Sequence, residues 1–182
     1  MYDAIRAQEA PSRGAVSSPP VGDRTPEQRL TDLGLSLPTP PSGPRLYVSA
    51  VRSGSLLFLA GHGPVGPDGE LLTGKVGADL DVAEAREAAR LTGLQLLGAI
   101  RAELGSLDRV RRVVKLLGMV NGAPGFADTP AVIDGCSQLF LDVFGEAGRH
   151  ARSAVGMAEL PFGMCVEIEA IIEIEDERGR SV

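Results

Sequence analysis

The sequence predicts an α+β domain built as a mixed sheet with two long helices on one face. Three observations carry that expectation. Strand-like segments occupy residues 46–51, 55–61, 109–122, 150–160 and 165–174, two long stretches between them carry apolar residues at helical spacing, and the resulting order is ββ, α, β, α, ββ. The length of 182 residues and a hydrophobic content of 43% suit one sizeable core, so a single domain is expected.

The elements follow in order. Residues 1–24 are rich in Pro, Ser, Gly and Ala without periodicity and read as a disordered tail, because ordering them would bury too little to offset the lost entropy. Thr25, Pro26 and Glu27 supply an N-cap, a first-turn proline and an acidic first turn for a short helix that Gly34 ends. A proline-rich linker follows, so residues 25–44 read as helix plus linker and 45–175 as the domain proper, with a tail at 176–182. LYVSAV and SLLFLAG flank Arg52, Ser53 and Gly54 and predict a hairpin, followed by a Pro-Asp-Gly turn at residues 67–69. In the first long helix Val82, Ala85, Ala89, Leu96 and Ile100 share a face, with Asp79, Asp81 and Glu84 at the positive end of the dipole; its many Ala and Gly positions predict close packing on the sheet. RVRRVVKLLGMVNG is a long strand, and Thr129 with Pro130 opens a second helix anchored by Phe140 and Phe144. The last strand places Val166, Ile168, Ala170, Ile172 and Ile174 on one face and mostly glutamates on the other.

Net charge is −6, from 24 acidic against 18 basic residues, and no Lys or Arg block forms a stripe, which opposes a nucleic-acid partner. Cys136 and Cys165 have neither CxxC spacing nor clustered histidines, so neither a metal site nor a disulfide framework is expected. They read as buried small hydrophobes in a reducing compartment. The N-terminus lacks a basic region followed by an apolar one, and no run of about 18 apolar residues occurs, so no membrane partner is expected and the location reads as cytoplasmic. SLLFLAG is apolar on both faces and VVKLLGMV nearly so, whereas two helices cover only one face; a second subunit is expected on the other.

The sharpest candidate for chemistry is Arg152 in HARSAVGMAEL. Strand alternation sets it beside Ala154, Gly156 and Ala158, leaving room for a ligand next to a planar cationic fork that matches a carboxylate bidentately. The plainer alternative is a surface arginine paired with a neighbouring acid. Glu167 could hold or deprotonate a water, or could be one solvated glutamate among four. His62 and His150, the two histidines, could supply an acid, base or donor near neutral pH, although each alone is more often a loop or core residue.

The run HARSAVGMAELPFGMCVEIEAIIEI resembles the C-terminal signature of the RidA (YjgF) family: an arginine strand, a Leu-Pro turn and an Glu-Ile-Glu-Ala strand in that order. With YVSAVRSGSLLFLAGHGPV the likeness spans about residues 45 to 175. It implies a homotrimer of chorismate-mutase-like subunits with clefts between them, no metal and no organic cofactor, and hydrolysis of reactive 2-enamino or 2-imino acids such as 2-aminoacrylate. Residue by residue, it makes Arg152 the binder of a small-molecule carboxylate substrate and Glu167 the water-associated glutamate, with Ala154 beside the arginine. Tyr47 matches the tyrosine after the family's Gly-Pro, which reads Arg-Leu here. Gly61 matches the glycine of a Ser-Gly-Gln in which Ala60 and His62 replace the flanking residues, and Asp134 falls near an asparagine of the second helix. These departures leave a second reading open, a non-catalytic trimeric protein that binds a small carboxylate. RNA cleavage, a label some relatives carry, is opposed by the acidic charge and by the lack of a basic, aromatic-lined patch.

Overall fold

The computed structural model describes residues 24–40, 43 and 46–175. The expectations for residues 1–23 and 176–182 fall outside them. Helix α1, Pro26–Asp32, is closed by a capping box in which Gln28 N–H donates to Thr25 Oγ1 and Thr25 N–H donates to Gln28 Oε1, and Gly34 follows with φ +64° as the C′ residue. Strands β1, Ala50–Ser53, and β2, Leu56–Leu59, form a hairpin. Helix α2, Val82–Leu104, has an Asp81–Glu84 capping box and ends on left-handed Gly105. Strand β3, Val110–Asn121, leads to helix α3, Thr129–Phe144, then to β4, Ala151–Met157, and β5, Val166–Ile174.

The sheet order is β1-β2-β5-β3-β4, antiparallel throughout except for the parallel pair β3 and β4. The mixed sheet and its two helices therefore match the expectation. One face is buried under α2 and α3 through Leu57, Leu59, Val113, Leu116, Val120, Val166, Ile168, Ala170, Ile172 and Ile174. The opposite face carries Val51, Phe58, Lys115, Leu117, Met119, Ser153, Val155, Glu167, Glu169 and Ile171, with Val51, Phe58 and Val155 exposed.

Three local expectations are corrected. The hairpin loop is Gly54 and Ser55, since Ser53 pairs with Leu56; a two-residue loop needs positive φ at its start, which Gly54 supplies at +61°. The first strand begins at Ala50, and Leu46, Tyr47 and Val48 before it are exposed. The small residues of α2 divide their work: Ala85, Ala88 and Ala89 are fully buried in the core, but Gly93 lets α3 approach through Leu139 and Cys136, and Gly98 lets the Pro38 carbonyl lie against the helix. That last contact, with Leu30 buried in the common core and Leu35 and Leu37 packed against it, makes α1 and residues 35–38 part of the packed domain. Cys136 and Cys165 are buried and unpaired, as expected. No described helix is long and apolar enough to cross a membrane.

Candidate functional site

Arg152 stands on edge strand β4 opposite Leu116 of β3, a residue of the helix-covered face, so its side chain runs toward α3. Helical spacing brings Pro130, Asp134 and Ser137, at i, i+4 and i+7, onto the α3 face that meets it. Nη1 of Arg152 donates to Asp134 Oδ1 at 2.7 Å and to Ser137 Oγ at 2.9 Å, and Nη2 donates to the Pro130 carbonyl at 3.3 Å. Both Nη1 protons are thus used. Nε bonds to no described residue and Nη2 has a second proton to give, which leaves donors with which a carboxylate can be gripped. Asp134 therefore does not face away from the cationic fork, as an anionic ligand would favour, but partly neutralises it. The pair is incompletely buried, with side-chain exposures of 22% for Arg152 and 48% for Asp134. Ala154, one pleat further along, is fixed by Thr129 Oγ1 donating to its carbonyl at 3.0 Å and adds no bulk.

Ser137 joins this cluster to His150, a link the sequence did not expose. His150 Nδ1 lies 2.6 Å from the Gly148 carbonyl, and Nε2 lies 3.1 Å from Ser137 Oγ. Burial, the leading cause, and the nearby Arg152 charge hold the imidazole below its ordinary value of 6.5, against a contrary pull from the Gly148 carbonyl. Its ring also meets Phe140 edge-on, with centroids 6.4 Å apart. Cys136, next to Ser137 in sequence, is pushed up to about 12 by burial despite the opposing charge of Arg152, which leaves it an inert thiol.

Glu167 lies elsewhere. It pairs with Met119 on β3 and faces the uncovered side of the sheet, where its carboxylate occupies the space that a side chain at position 61 would fill. A side chain at position 61 would have to displace that carboxylate. The backbone of the next residue, His62, exchanges hydrogen bonds with Ile168, both at 3.0 Å, which pins the Gly61 segment beside the start of β5. His62 Nδ1 is 2.8 Å from the Ala60 carbonyl, which requires that nitrogen to be the protonated one. Burial, followed by the Glu169 charge, raises Glu167 above its ordinary value of 4.5. Among the described residues, no group of three His, Cys, Asp or Glu is placed to hold a metal ion.

The candidate residues therefore fall into separate groups. Arg152, Asp134 and Ala154 occupy the β4 edge beneath α3; Gly61, His62 and Glu167 occupy the open face between β2 and β5; exposed Tyr47 precedes β1, at the opposite edge of the sheet. Within one chain, Arg152 and Glu167 point to opposite sides of the sheet. A shallow hollow of about 290 Å³ on the open face, lined in part by Lys115, Ser153 and Glu169, contains none of the predicted site residues.

Comparison with known proteins fits this architecture. Residues 27–171 match the family described as "YjgF/chorismate mutase-like, putative endoribonuclease", so the match takes in most of α1. The chain is 47% identical over 148 residues to Protein TCP17 of Trypanosoma cruzi, covering 81% of this chain and 92% of that protein. It is 30% identical over 136 residues to a 2-iminobutanoate/2-iminopropanoate deaminase of Dermatophagoides farinae, covering 74% of this chain and 89% of that protein. The crystal structure of Atu1372 from Agrobacterium tumefaciens, a protein of unknown function, superposes with a TM-score of 0.76 at 46% identity, over 82% of this chain and 92% of that one. The chain belongs to the YjgF/RidA family, with its chorismate-mutase-like fold.

Proposed function

We propose that this protein hydrolyses reactive 2-enamino and 2-imino acids of the 2-aminoacrylate type, releasing ammonia and a 2-keto acid. The observation that carries this reading is the Arg152 guanidinium, held on one side by α3 with its Nε edge left over for a carboxylate. The enamine first tautomerises to the imine. Arg152 then holds the carboxylate, a backbone carbonyl near the cleft orients the imine nitrogen, and Glu167 positions the water that adds to the C=N carbon. The nitrogen gains protons as the carbonyl forms, and the C–N bond breaks to release ammonia. Positioning suffices, because such substrates hydrolyse unaided and need only a modest reduction of the barrier. The half-buried Glu167, whose carboxyl is raised above its ordinary value by burial and by the Glu169 charge, holds a proton more readily than an exposed glutamate and is suited to exchange one with that water.

Since Arg152 and Glu167 face opposite sides of one subunit's sheet, the reading requires a cleft shared between copies, with the arginine edge of one facing the Gly61 and Glu167 surface of another. A homotrimer provides three such clefts and covers the apolar part of the open face. Support comes from the exposed Val51, Phe58 and Val155 on that face and from the relative named as an iminobutanoate deaminase. No cofactor enters the reaction.

One observation favours a second reading, a protein that binds a small carboxylate without turning it over: Asp134 already takes part of the Arg152 charge. The two separate on ammonia release from enzymatically generated 2-aminoacrylate, measured alongside light scattering. A trimer that accelerates release supports the deaminase. A trimer that binds pyruvate but leaves release at the uncatalysed rate supports the second reading, and full activity in a monomer would remove the shared cleft.

A further inference from the structure

The contacts behind Arg152 form a directed chain. The Gly148 carbonyl can only accept, so the 2.6 Å contact fixes the proton of the neutral His150 ring on Nδ1. Nε2 is then an acceptor, and the Ser137 hydroxyl must donate to it across 3.1 Å. With its proton spent there, Ser137 Oγ presents a lone pair to Arg152 Nη1 at 2.9 Å. Every step depends on the one behind it. If Nε2 carried the proton, both partners of Ser137 would be donors, and its hydroxyl proton would have to turn elsewhere. The charged groups about His150 are Arg152 on β4 and, across Arg152, Asp134 on α3; the Arg149–Glu146 pair on the preceding turn is exposed.

We infer that Ser137 and His150 are positioning residues for the substrate carboxylate, a relay from the Gly148 carbonyl that fixes the rotation of the Arg152 guanidinium and aims its Nε edge at the ligand. The inference rests on the deaminase reading for the identity of the ligand, although the relay itself does not. Asp134 alone cannot fix that rotation. It is half exposed, and with the long 3.3 Å contact from Nη2 to the Pro130 carbonyl it holds the plane only loosely, whereas the part-buried Ser137 acceptor at 2.9 Å adds a second bond on Nη1 that tightens it.

Two measurements on the full chain test this. In the ligand-free protein, the ¹⁵N shifts of the His150 ring report the tautomer. Nδ1–H is expected, the minor form of free imidazole, and Nε2–H would overturn the relay. The second measurement is the kinetics of Ser137→Ala, where KM for 2-aminoacrylate and Kd for pyruvate should rise about tenfold with kcat within about twofold. Ser137→Thr, which restores a hydroxyl, should recover most of the loss. His150→Phe keeps the ring against Phe140 but removes the acceptor, and should resemble Ser137→Ala. Equal loss of kcat, or loss in proportion to unfolded protein, would mark a merely structural role and overturn the proposal. Wild-type affinity in a folded Ser137→Ala protein would do the same. A wild-type protein inert toward both 2-aminoacrylate and pyruvate, yet showing the Nδ1–H tautomer, would locate the failure in the deaminase reading.

Discussion

At the β4 edge, Arg152 is held by three acceptors from a single helix, whereas on the other side of the sheet Glu167 lies in a space made by the side chain that Gly61 lacks. The first group is positioned by directed bonds, the second by room. Directed bonds tolerate small changes of volume nearby but not the loss of a donor or an acceptor. Room fails in the opposite way: isosteric changes of polarity leave it intact, and one added methyl group displaces the carboxylate that occupies it.

Breaking the bonded side should give the largest effect. Arg152→Ala is expected to lower kcat/KM by about 2 to 4 kcal/mol of transition-state stabilisation, the scale of a lost charge-assisted partner. Arg152→Lys should lose most of the same activity, because an ammonium ion keeps the attraction without the fork. The melting temperature should fall only slightly, since Asp134 is exposed enough to be hydrated once its partner is gone. A large thermal loss with activity falling only as far as the folded fraction would make Arg152 a structural residue.

The space beside Glu167 is tested by a single methyl group. Gly61→Ala places Cβ where the Glu167 carboxylate lies and should lower kcat at least tenfold, while pyruvate, gripped by Arg152, should bind with little change. If the variant weakens pyruvate binding as strongly as it slows turnover, the two regions act as one site.

A thermal titration sharpens the contrast further. Folding raises the Glu167 pKa through burial and the Glu169 charge, so the folded state favours the protonated acid. That contribution to stability is fully present below the ordinary value of 4.5 and is lost as pH rises through the raised value. The melting temperature of Glu167→Gln relative to wild type should therefore increase across this window and level off above it. A difference that does not vary with pH would mean that Glu167 is as well solvated as an ordinary surface glutamate. The smallest expected effect is that of Asp134→Asn, which removes a competing carboxylate from Arg152 and should tighten pyruvate binding a few-fold. Weaker binding would show that Asp134 serves mainly to hold the fork in place.

Much of this arrangement is legible in the sequence itself. The alternation in β5 correctly divided Val166, Ile168, Ala170, Ile172 and Ile174 from the glutamates, and the Asp81 and Glu84 spacing announced the start of α2. These signals are local, so a single stretch contains them. Ser137 was missed because a lone serine in a helix has no pattern of its own; its meaning comes from the parallel register of β3 and β4, which brings Arg152 to it. The i, i+4, i+7 spacing of Pro130, Asp134 and Ser137 was present and would have grouped them once one was suspected. The prolines after α1 exclude regular structure and so suggest a linker, yet exclusion from helix and strand does not prevent packing, as the Pro38 carbonyl on α2 shows.

The anchoring of α1 has a consequence for the order of folding. Glu27 accepts a hydrogen bond from Leu107 N–H at 2.9 Å and donates its own N–H to Asp108 Oδ1 at 3.0 Å, contacts that span 80 and 81 residues. Closing so long a loop for a seven-residue helix costs chain entropy that only a preformed surface can repay. This helix is therefore expected to dock after α2 and the turn behind it have formed, adding its stabilisation on the native side of the folding barrier. Elements that arrive late act as brakes on departure: removing the Glu27 carboxylate should speed unfolding in denaturant while leaving the refolding rate nearly unchanged.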